Sequence, residues 1–383
     1  MPWQEATIVC KRQEFVMLAR AEGANVAALA RAFGISRKTA YKWLDRFARQ
    51  GKSGLVDQSR RPKSQPGKTA PSVEQAVVAL RTAHPRWGGR KIRRRLEDQG
   101  AATTLGKMPA ASTVTGILHR HGLIDADAAA RHTAFIRFEH DRPNALLQID
   151  FKGHFAVGGG RCHPLTLVDD HSRFSLVIAA CDNERGDTVR GALTTAFERY
   201  GLPERMTMDN GAPWGTAGAG HDITPLTLWL MRLGIRVGHS RPRHPQTQGK
   251  NERFNRTLLE EVIAPRQFAS LGAAQAAFDQ WRTIYNCERP HEALGLAVPA
   301  SRYRPSPRRL PATLPAVAYP AGVTVRRVQA KGLISFSGRA FRLPKALKGF
   351  AVAIEPRLGE DGLHDVRFMH SRITTIDMRT PTE

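Results

Sequence analysis

Apolar residues recur at helical spacing through the first third of the chain, then give way to short apolar runs and strict alternation. FVMLARAEG (15–23) reads as an amphipathic helix that stops at Gly23, followed by VAALARAFG (26–34). After a turn at Gly34 and Ile35, SRKTAYKWLDRFARQG (36–51) opens a third helix, with Ser36 as its N-cap. On that helix Ala40, Trp43, Leu44 and Phe47 form the core side, and Arg37, Lys38, Thr39 and Lys42 the polar side. Further on, SVEQAVVALRTAH, WGGRKIRRRLEDQG and STVTGILHRHGLI predict a second helical group, with Ser112 as a cap. Its middle member carries Arg90, Lys91, Arg93, Arg94 and Arg95.

The period changes between 144 and 300. Strand-like runs lie at 145–157, 163–180 and 204–211, and a short strand at 235–240. Helical patterns fall at 187–201, with Gly201 as the stop, and at 224–234, 251–263 and 271–286. Strands with helices between and after them predict an α/β core with a mixed sheet. A basic, proline-rich connector (301–310) leads to 323–356, where apolar and polar residues alternate between glycine turns, the pattern of a small β-barrel or sheet. The expected fold is therefore multidomain: N-terminal all-α units, a central α/β core and a small C-terminal all-β domain.

Composition sharpens this. The 383 residues imply several domains, 41% hydrophobic content suffices for real cores, and the net charge is +24. The charge is uneven: +9 over residues 1–70, +5 over 71–143, +1 over 144–300 and +9 over 301–383. A GC-rich genome would raise the arginine count, but it does not account for that contrast. Basic flanks around a nearly neutral middle point to a polyanion, most often nucleic acid. Cys10, Cys162, Cys181 and Cys287 show no metal or disulfide spacing. With no signal peptide and no long apolar run, the expectation is a soluble cytoplasmic protein not associated with membrane.

In that charge setting, a short helix, a glycine turn and a basic helix form a helix-turn-helix pattern. Arg37, Lys38, Thr39 and Lys42 are then candidates for the major groove. An ordinary helical hairpin is the plain alternative. The expected units are a helix-turn-helix domain at 1–58, a basic linker at 59–72, a second helix-turn-helix domain at 73–125, a core at 144–300 and a β domain at 320–372. In the linker, Arg60 and Arg61 either track DNA or ride on a solvated tether. Arg90, Lys91 and Arg94 are candidates for phosphate contact.

The sharpest motif is HPQTQGKNERFNRTL (244–258), a turn and a helix in which Glu252 stands among Lys250, Arg253 and Arg256. Asp150 ends the run ALLQI and Asp209 the run ERMTM. Fifty-eight residues separate the two aspartates, and 42 separate Asp209 from Glu252. Three hard carboxylates from three elements suit Mg²⁺, and a pair of such ions suits in-line displacement at phosphorus. Each has a plain alternative: a strand-end turn for Asp150, an Asp-Asn-Gly turn for Asp209, a pair with Arg256 for Glu252. Together, in this order, they are far more specific.

LLQIDFKGHF, LTLVDDHSRF, MTMDNGAPW and HPQTQGKNERFNRTL resemble the catalytic-core words of DDE transposases and integrases, nearest to bacterial insertion-sequence transposases of the retroviral-integrase superfamily. The resemblance implies an RNase H-like core, with Asp150, Asp209 and Glu252 as catalytic residues and ligands of two Mg²⁺ ions, Mn²⁺ being able to substitute. It implies Mg²⁺-dependent cleavage of double-stranded DNA at the element ends, then transfer to target DNA by a homo-oligomer. Lys250 and Arg253 would grip phosphate, and His244 would line the site. Asp169 and Asp170 are read as structural. The gap between Asp209 and Glu252 exceeds the family's usual one, and the glycine-rich stretch 214–222 can absorb the excess. The N-terminal zinc module of retroviral integrases is not visible.

Three rivals stand beside this reading. One is a DNA-binding regulator with a silent core. Another is a tyrosine recombinase using Tyr285 beside Arg282, Arg289 and His291, although Trp281, Ile284 and Tyr285 share core spacing. The last is a plain RNase H-like nuclease.

Overall fold

The computed structural model describes residues 7–59, 68–124, 139–215, 223–239 and 249–379. The chain divides into two compact units, Met1–Lys68 and Thr69–Glu383.

The first unit contains α1 (Ile8–Ala19), α2 (Val26–Ala32) and α3 (Arg37–Gln50), closed by a 3₁₀ turn at Gly51–Leu55. Thr7, Asn25 and Ser36 cap the three helices by accepting backbone N–H groups. α1 therefore starts seven residues before the apolar period becomes visible at Phe15, because polar KRQE interrupts it. Phe15, Val16, Ala30, Ala40, Trp43 and Leu55 are buried together, with Leu44 and Phe47 packed against them. Arg12 lies 4.0 Å over the Trp43 ring and donates to the Leu55 carbonyl at 2.8 Å.

The second unit opens with α4 (Pro71–Ala83), α5 (Gly89–Asp98), α6 (Ala101–Leu105) and α7 (Ala111–Arg120), packed around Val77, Trp87, Ile92, Val114, Ile117 and Leu118. Two details correct the sequence reading. A further helix, α6, forms between the second and third predicted segments, and Ser112 lies inside the first turn of α7, which Ala110 precedes without any side-chain cap. α5 approaches α7 so closely that a Cβ at Gly89 would stand 2.3 Å from Thr115 Oγ1.

The core follows with β1 (Leu147–Phe151), β2 (Phe155–Val157), β3 (Gly160–Asp169), β4 (Ser175–Cys181), α8 (Gly186–Tyr200), β5 (Arg205–Met208), α9 (Pro225–Arg232), β6 (Arg236–His239), α10 (Gly249–Leu258), α11 (Leu271–Cys287) and α12 (Pro299–Arg302). A π-helical turn, Leu259–Ile263, continues α10. The predicted runs 145–157 and 163–180 each resolve into two strands, broken at 152–154 and 170–174. Among the described residues the sheet order is β2-β3-β1-β5-β6, with β4 also on β3. β1 pairs antiparallel with β3 and parallel with β5, so the sheet is mixed as expected. One face packs Leu147, Ile149, Leu165, Leu167, Met206 and Met208 against α8 and α9. The other packs Val168 and Ile178 against Phe254, Leu258, Phe278, Trp281 and Tyr285 of α10 and α11.

The α4–α7 group is continuous with this core. Ile284 of α11 packs into its apolar centre, and Arg95 forms an ion pair with Glu288. Arg308 of the connector is spent on the carbonyls of Pro203, Leu233 and Gly234. Beyond it come β7 (Thr324–Arg327), β8 (Leu333–Phe336), β9 (Arg339–Arg342), β10 (Ala351–Pro356), β11 (Leu363–Phe368) and β12 (Ser371–Asp377). They form a four-stranded antiparallel sheet, β12-β11-β10-β7, and a β8-β9 hairpin, sharing a core with Leu228 and Met231 of α9. The β region runs five residues past the boundary expected at 372. Among the described residues no helix is long and apolar enough to cross a membrane.

Candidate active site

The site follows from the alternation of β1, Leu-Gln-Ile-Asp-Phe. Leu147, Ile149 and Phe151 face the α8–α9 side, so Gln148 and Asp150 must face α10. Thr166 of β3 lies opposite Asp150 in register and shares its face. β5 runs parallel to β1 with Gln148 level with Thr207. Continuing that register two positions brings Asp150 level with Asp209, just past the end of β5. On α10, Asn251, Asn255 and Leu258 form the buried i, i+4, i+7 stripe, which leaves Glu252 exposed at its edge.

Asp150 feels the other two carboxylates. Asp150 is pushed up to about 6, first by burial and then by the negative charge of Asp209, with a further contribution from Glu252; the Phe151 N–H and Lys152 oppose the rise. Asp209 and Glu252 are both exposed. Among the described residues no three His, Cys, Asp or Glu side chains stand close enough to hold a metal ion as they are. The donor set nevertheless fits a hard divalent cation: three oxygen ligands concentrate negative charge that the nearby Lys152 alone does not balance.

A polar network fixes this geometry, and sequence reasoning missed most of it. Asn255 Nδ2 donates to Asp150 Oδ2 at 2.9 Å. The Thr166 hydroxyl stands 3.1 Å from Asn255 Oδ1 and 3.2 Å from Asn251 Oδ1. The Asn251 N–H donates to Gln148 Oε1 at 3.2 Å, and Gln148 Nε2 donates to Asp170 Oδ1 at 2.9 Å. Asp170, only 2% exposed, also accepts from the His140 N–H and pairs with the Lys250 ammonium. Asp169 accepts from the N–H groups of Asn144 and Ser172, which secures the β3–β4 turn. The i, i+4 spacing of Asn251 and Asn255 was the one signal in the sequence.

Other predicted residues divide. Lys250 does not reach outward as a phosphate grip; its ammonium is held in the pair with buried Asp170 because the first turn of α10 lies on the sheet. Arg253 is exposed. On α3, Arg37, Lys38 and Lys42 are exposed, while Thr39 is half-buried with its hydroxyl 2.9 Å from Ser36 Oγ. On α5, Arg90 is exposed and Arg94 is paired with Asp98 at 2.8 Å. Lys91 is a correction: it turns inward toward Arg289, Glu261 and Glu292, and burial lowers its pKa to about 8, helped by the charge of Arg289 and opposed by Glu261 and Glu292. Arg60, Arg61 and His244 lie outside the described residues.

Tyr285 is buried among Phe254, Trp281 and His291, and burial raises its phenol to about 12. Arg289 is held by Glu261 at 2.9 Å and Arg282 by the Leu176 carbonyl at 3.0 Å. This is a packed core tyrosine, not an accessible nucleophile.

Comparison with known proteins agrees with this layout. Two integrase core domain models match residues 140–245 and 233–299. A helix-turn-helix domain model matches 11–63 and a homeodomain-like domain model 39–118. The C-terminal domain of the IS481 family transposases matches 323–383. The chain is 30% identical over 158 residues to an insertion element IS407 protein of Burkholderia multivorans, covering 41% of this chain and 54% of the relative. It is 31% identical to an insertion element IS476 protein of Xanthomonas euvesicatoria, covering 41% and 44%. The chain thus spans about half the length of the curated relatives it matches. A chain of a simian T-cell lymphotropic virus intasome aligns at 16% identity and TM-score 0.36, covering 78% of this chain and 99% of that one, a likeness too loose to carry an argument.

Proposed function

We infer that this chain, which belongs with the bacterial insertion-sequence transposases of the DDE and retroviral-integrase superfamily, binds the ends of its own element and catalyses cleavage and strand transfer of double-stranded DNA. The observation that carries the reading is the β1–β5 register, which brings Asp150 level with Asp209; the Asp150 carboxyl is pushed up first by burial, then by the charge of Asp209 and, less, of Glu252. Asp150, Asp209 and Glu252 are the residues that would hold divalent metal, Mg²⁺ or Mn²⁺, and two ions suit the chemistry. When bound, such ions lower the pKa of an attacking hydroxyl or water and neutralise charge on the phosphate.

The chain's own residues do the rest. Asn255 holds the Asp150 carboxylate by Oδ2, and the Phe151 N–H also stabilises its charged form. The Lys250–Asp170 pair and the Asn251–Gln148 contact seat the first turn of α10, and with it Glu252. Arg253 is exposed beside Glu252, where it can meet a phosphate. Hydrolysis at the element end leaves a 3′-hydroxyl, and attack of that hydroxyl on a target phosphodiester joins the strands and expels the target's own 3′ oxygen. Joining two ends calls for at least two copies of the chain, and α3 and the other basic elements are the surfaces proposed to read and grip DNA.

The test uses duplex DNA from the flanks of the protein's own gene, incubated with Mg²⁺ and either the wild type or Glu252→Gln. The expected result is binding by both and strand cleavage by the wild type alone, with Asp150→Asn and Asp209→Asn behaving like Glu252→Gln. Cleavage that survives Asp209→Asn removes that residue from the triad. Binding without cleavage by any form makes the protein a DNA-binding regulator.

A further inference from the structure

The sheet face that carries Asp150 and Asp209 is covered by α10 and α11 over β1, β3 and β4, and the arginines of β5 and β6 on it remain exposed. Met206 and Met208 point into the α8–α9 core, so alternation puts Arg205 and Thr207 on the same face as Asp209. In the parallel register Arg205 is level with Arg236, and Thr207 with Gly238. The two arginines therefore stand on neighbouring strands, about 4.8 Å apart at the backbone, and both are exposed. With Thr207, Gly238, His140 and Leu146 they line a cavity of about 160 Å³. The nearest acid, Glu204, is occupied by a two-pronged contact from Arg142. His370 feels the Arg236 charge as well: burial lowers its pKa, the Ile235 backbone opposes this, and the charges of Arg236 and Arg308 lower it further.

We propose that Arg205 and Arg236 form a phosphate-binding track for the backbone of one DNA strand, leading along β5 to the carboxylates. Arg205 lies four positions before Asp209, about 13 Å at the rise of a strand. That distance corresponds to about four nucleotides along a duplex axis, so the track would hold a phosphate at that remove from the cut. Arginine forks suit phosphate oxygens, and Thr207 and Gly238 add no bulk that would keep a backbone away. The proposal rests on the reading of the chain as a DNA-cutting protein, but a phosphate track is indifferent to base sequence and can be tested apart from end recognition.

The experiment compares the full-length wild type, Arg205→Ala/Arg236→Ala, and Arg185→Ala, a single charge loss at the start of α8 on the opposite layer. Each is titrated with flank duplex and with an unrelated duplex across a salt series, and thermal melts confirm an unchanged fold. The double variant is expected to bind both duplexes about tenfold more weakly, with the slope of log affinity against log salt reduced by about two, while Arg185→Ala stays near the wild type. On the flank duplex, ethylation of the phosphate about four nucleotides from the cut should impair binding by the wild type and not by the double variant. An unchanged slope in the double variant, or an equal drop in Arg185→Ala, overturns the track. Equal wild-type affinity for the two duplexes with no cleavage overturns the functional reading instead, and leaves the salt slopes to decide the track.

Discussion

At the residue scale, the site depends on one amide that touches Asp150 without supplying a ligand. Asn255 donates to Asp150 Oδ2 and offers its own carbonyl oxygen to Thr166. Asn255→Ala removes the amide that holds Asp150 Oδ2, while Thr166 keeps the Asn251 amide oxygen and the Asp150 carbonyl as acceptors. The expected outcome is a rise of about ten- to a hundredfold in the Mg²⁺ concentration needed for cleavage, read from a metal titration, with DNA binding retained; an unchanged metal requirement would show that Asp150 is fixed by other contacts. Tyr285 gives the opposite case. Its phenol is buried and held protonated, so Tyr285→Phe should keep cleavage within about twofold of the wild type. No covalent protein–DNA adduct should appear on denaturing gels with either form. The three candidate carboxylates were nominated by their flanking words, since an acid among bases and acids at strand ends are local features. Gln148, Thr166 and Asn255 were not, because an amide or hydroxyl acquires its role only when alternation on two strands and one helix face bring it to the same place.

At the element scale, α5 shows how composition misleads. Its run of bases reads as one DNA-facing surface, yet a helix has sides. Ile92 and Leu96 are buried, Arg95 pairs with Glu288 at the end of α11, and Lys91 turns inward toward Arg289, Glu261 and Glu292. Burial lowers Lys91 from 10.5 to about 8. A lysine with a depressed folded pKa costs stability wherever the unfolded chain takes up the proton more readily. The cost is complete below about pH 8 and disappears above about pH 10.5. Lys91→Met should therefore stabilise the unit at pH 7, by at most about 3 kcal/mol and less as water reaches the side chain. The gain should shrink as pH rises from 8 to 10.5. Denaturation midpoints at pH 7 and pH 10 measure this, and a less stable variant at pH 7 would mean that the Glu261 and Glu292 charges outweigh burial. Helix caps at Asn25 and Ser36 act through groups within three residues, so those elements were readable. Ser112 failed as a cap because α7 begins one residue earlier, at Ala111.

At the scale of the whole molecule, charge is arranged by unit. Residues 1–70 carry a net +9 and the core at 144–300 only +1. Met1–Lys68 is a separate compact unit, whereas the α4–α7 group shares packing with the core. A chain beginning at Thr69 should therefore melt as this unit does in the full protein. It should bind flank DNA about tenfold or more weakly, with a shallower salt dependence. Loss of the folded core on truncation would show that the two units depend on each other for stability.

The sequence by itself determined the element types, the mixed α/β core and the β character of the end, and it nominated the three acids. Each rests on period, turn chemistry or charge among near neighbours, which a chain carries before it folds. Tertiary structure alone decided that the second helical group is joined to the core, that Lys250 belongs to Asp170, that Lys91 faces inward, and that Arg205 and Arg236 share a face with Asp209. Those are facts about which face meets which. Residues 80 positions apart, as Asp170 and Lys250 are, acquire a relation only when sheet register and helix packing have been set.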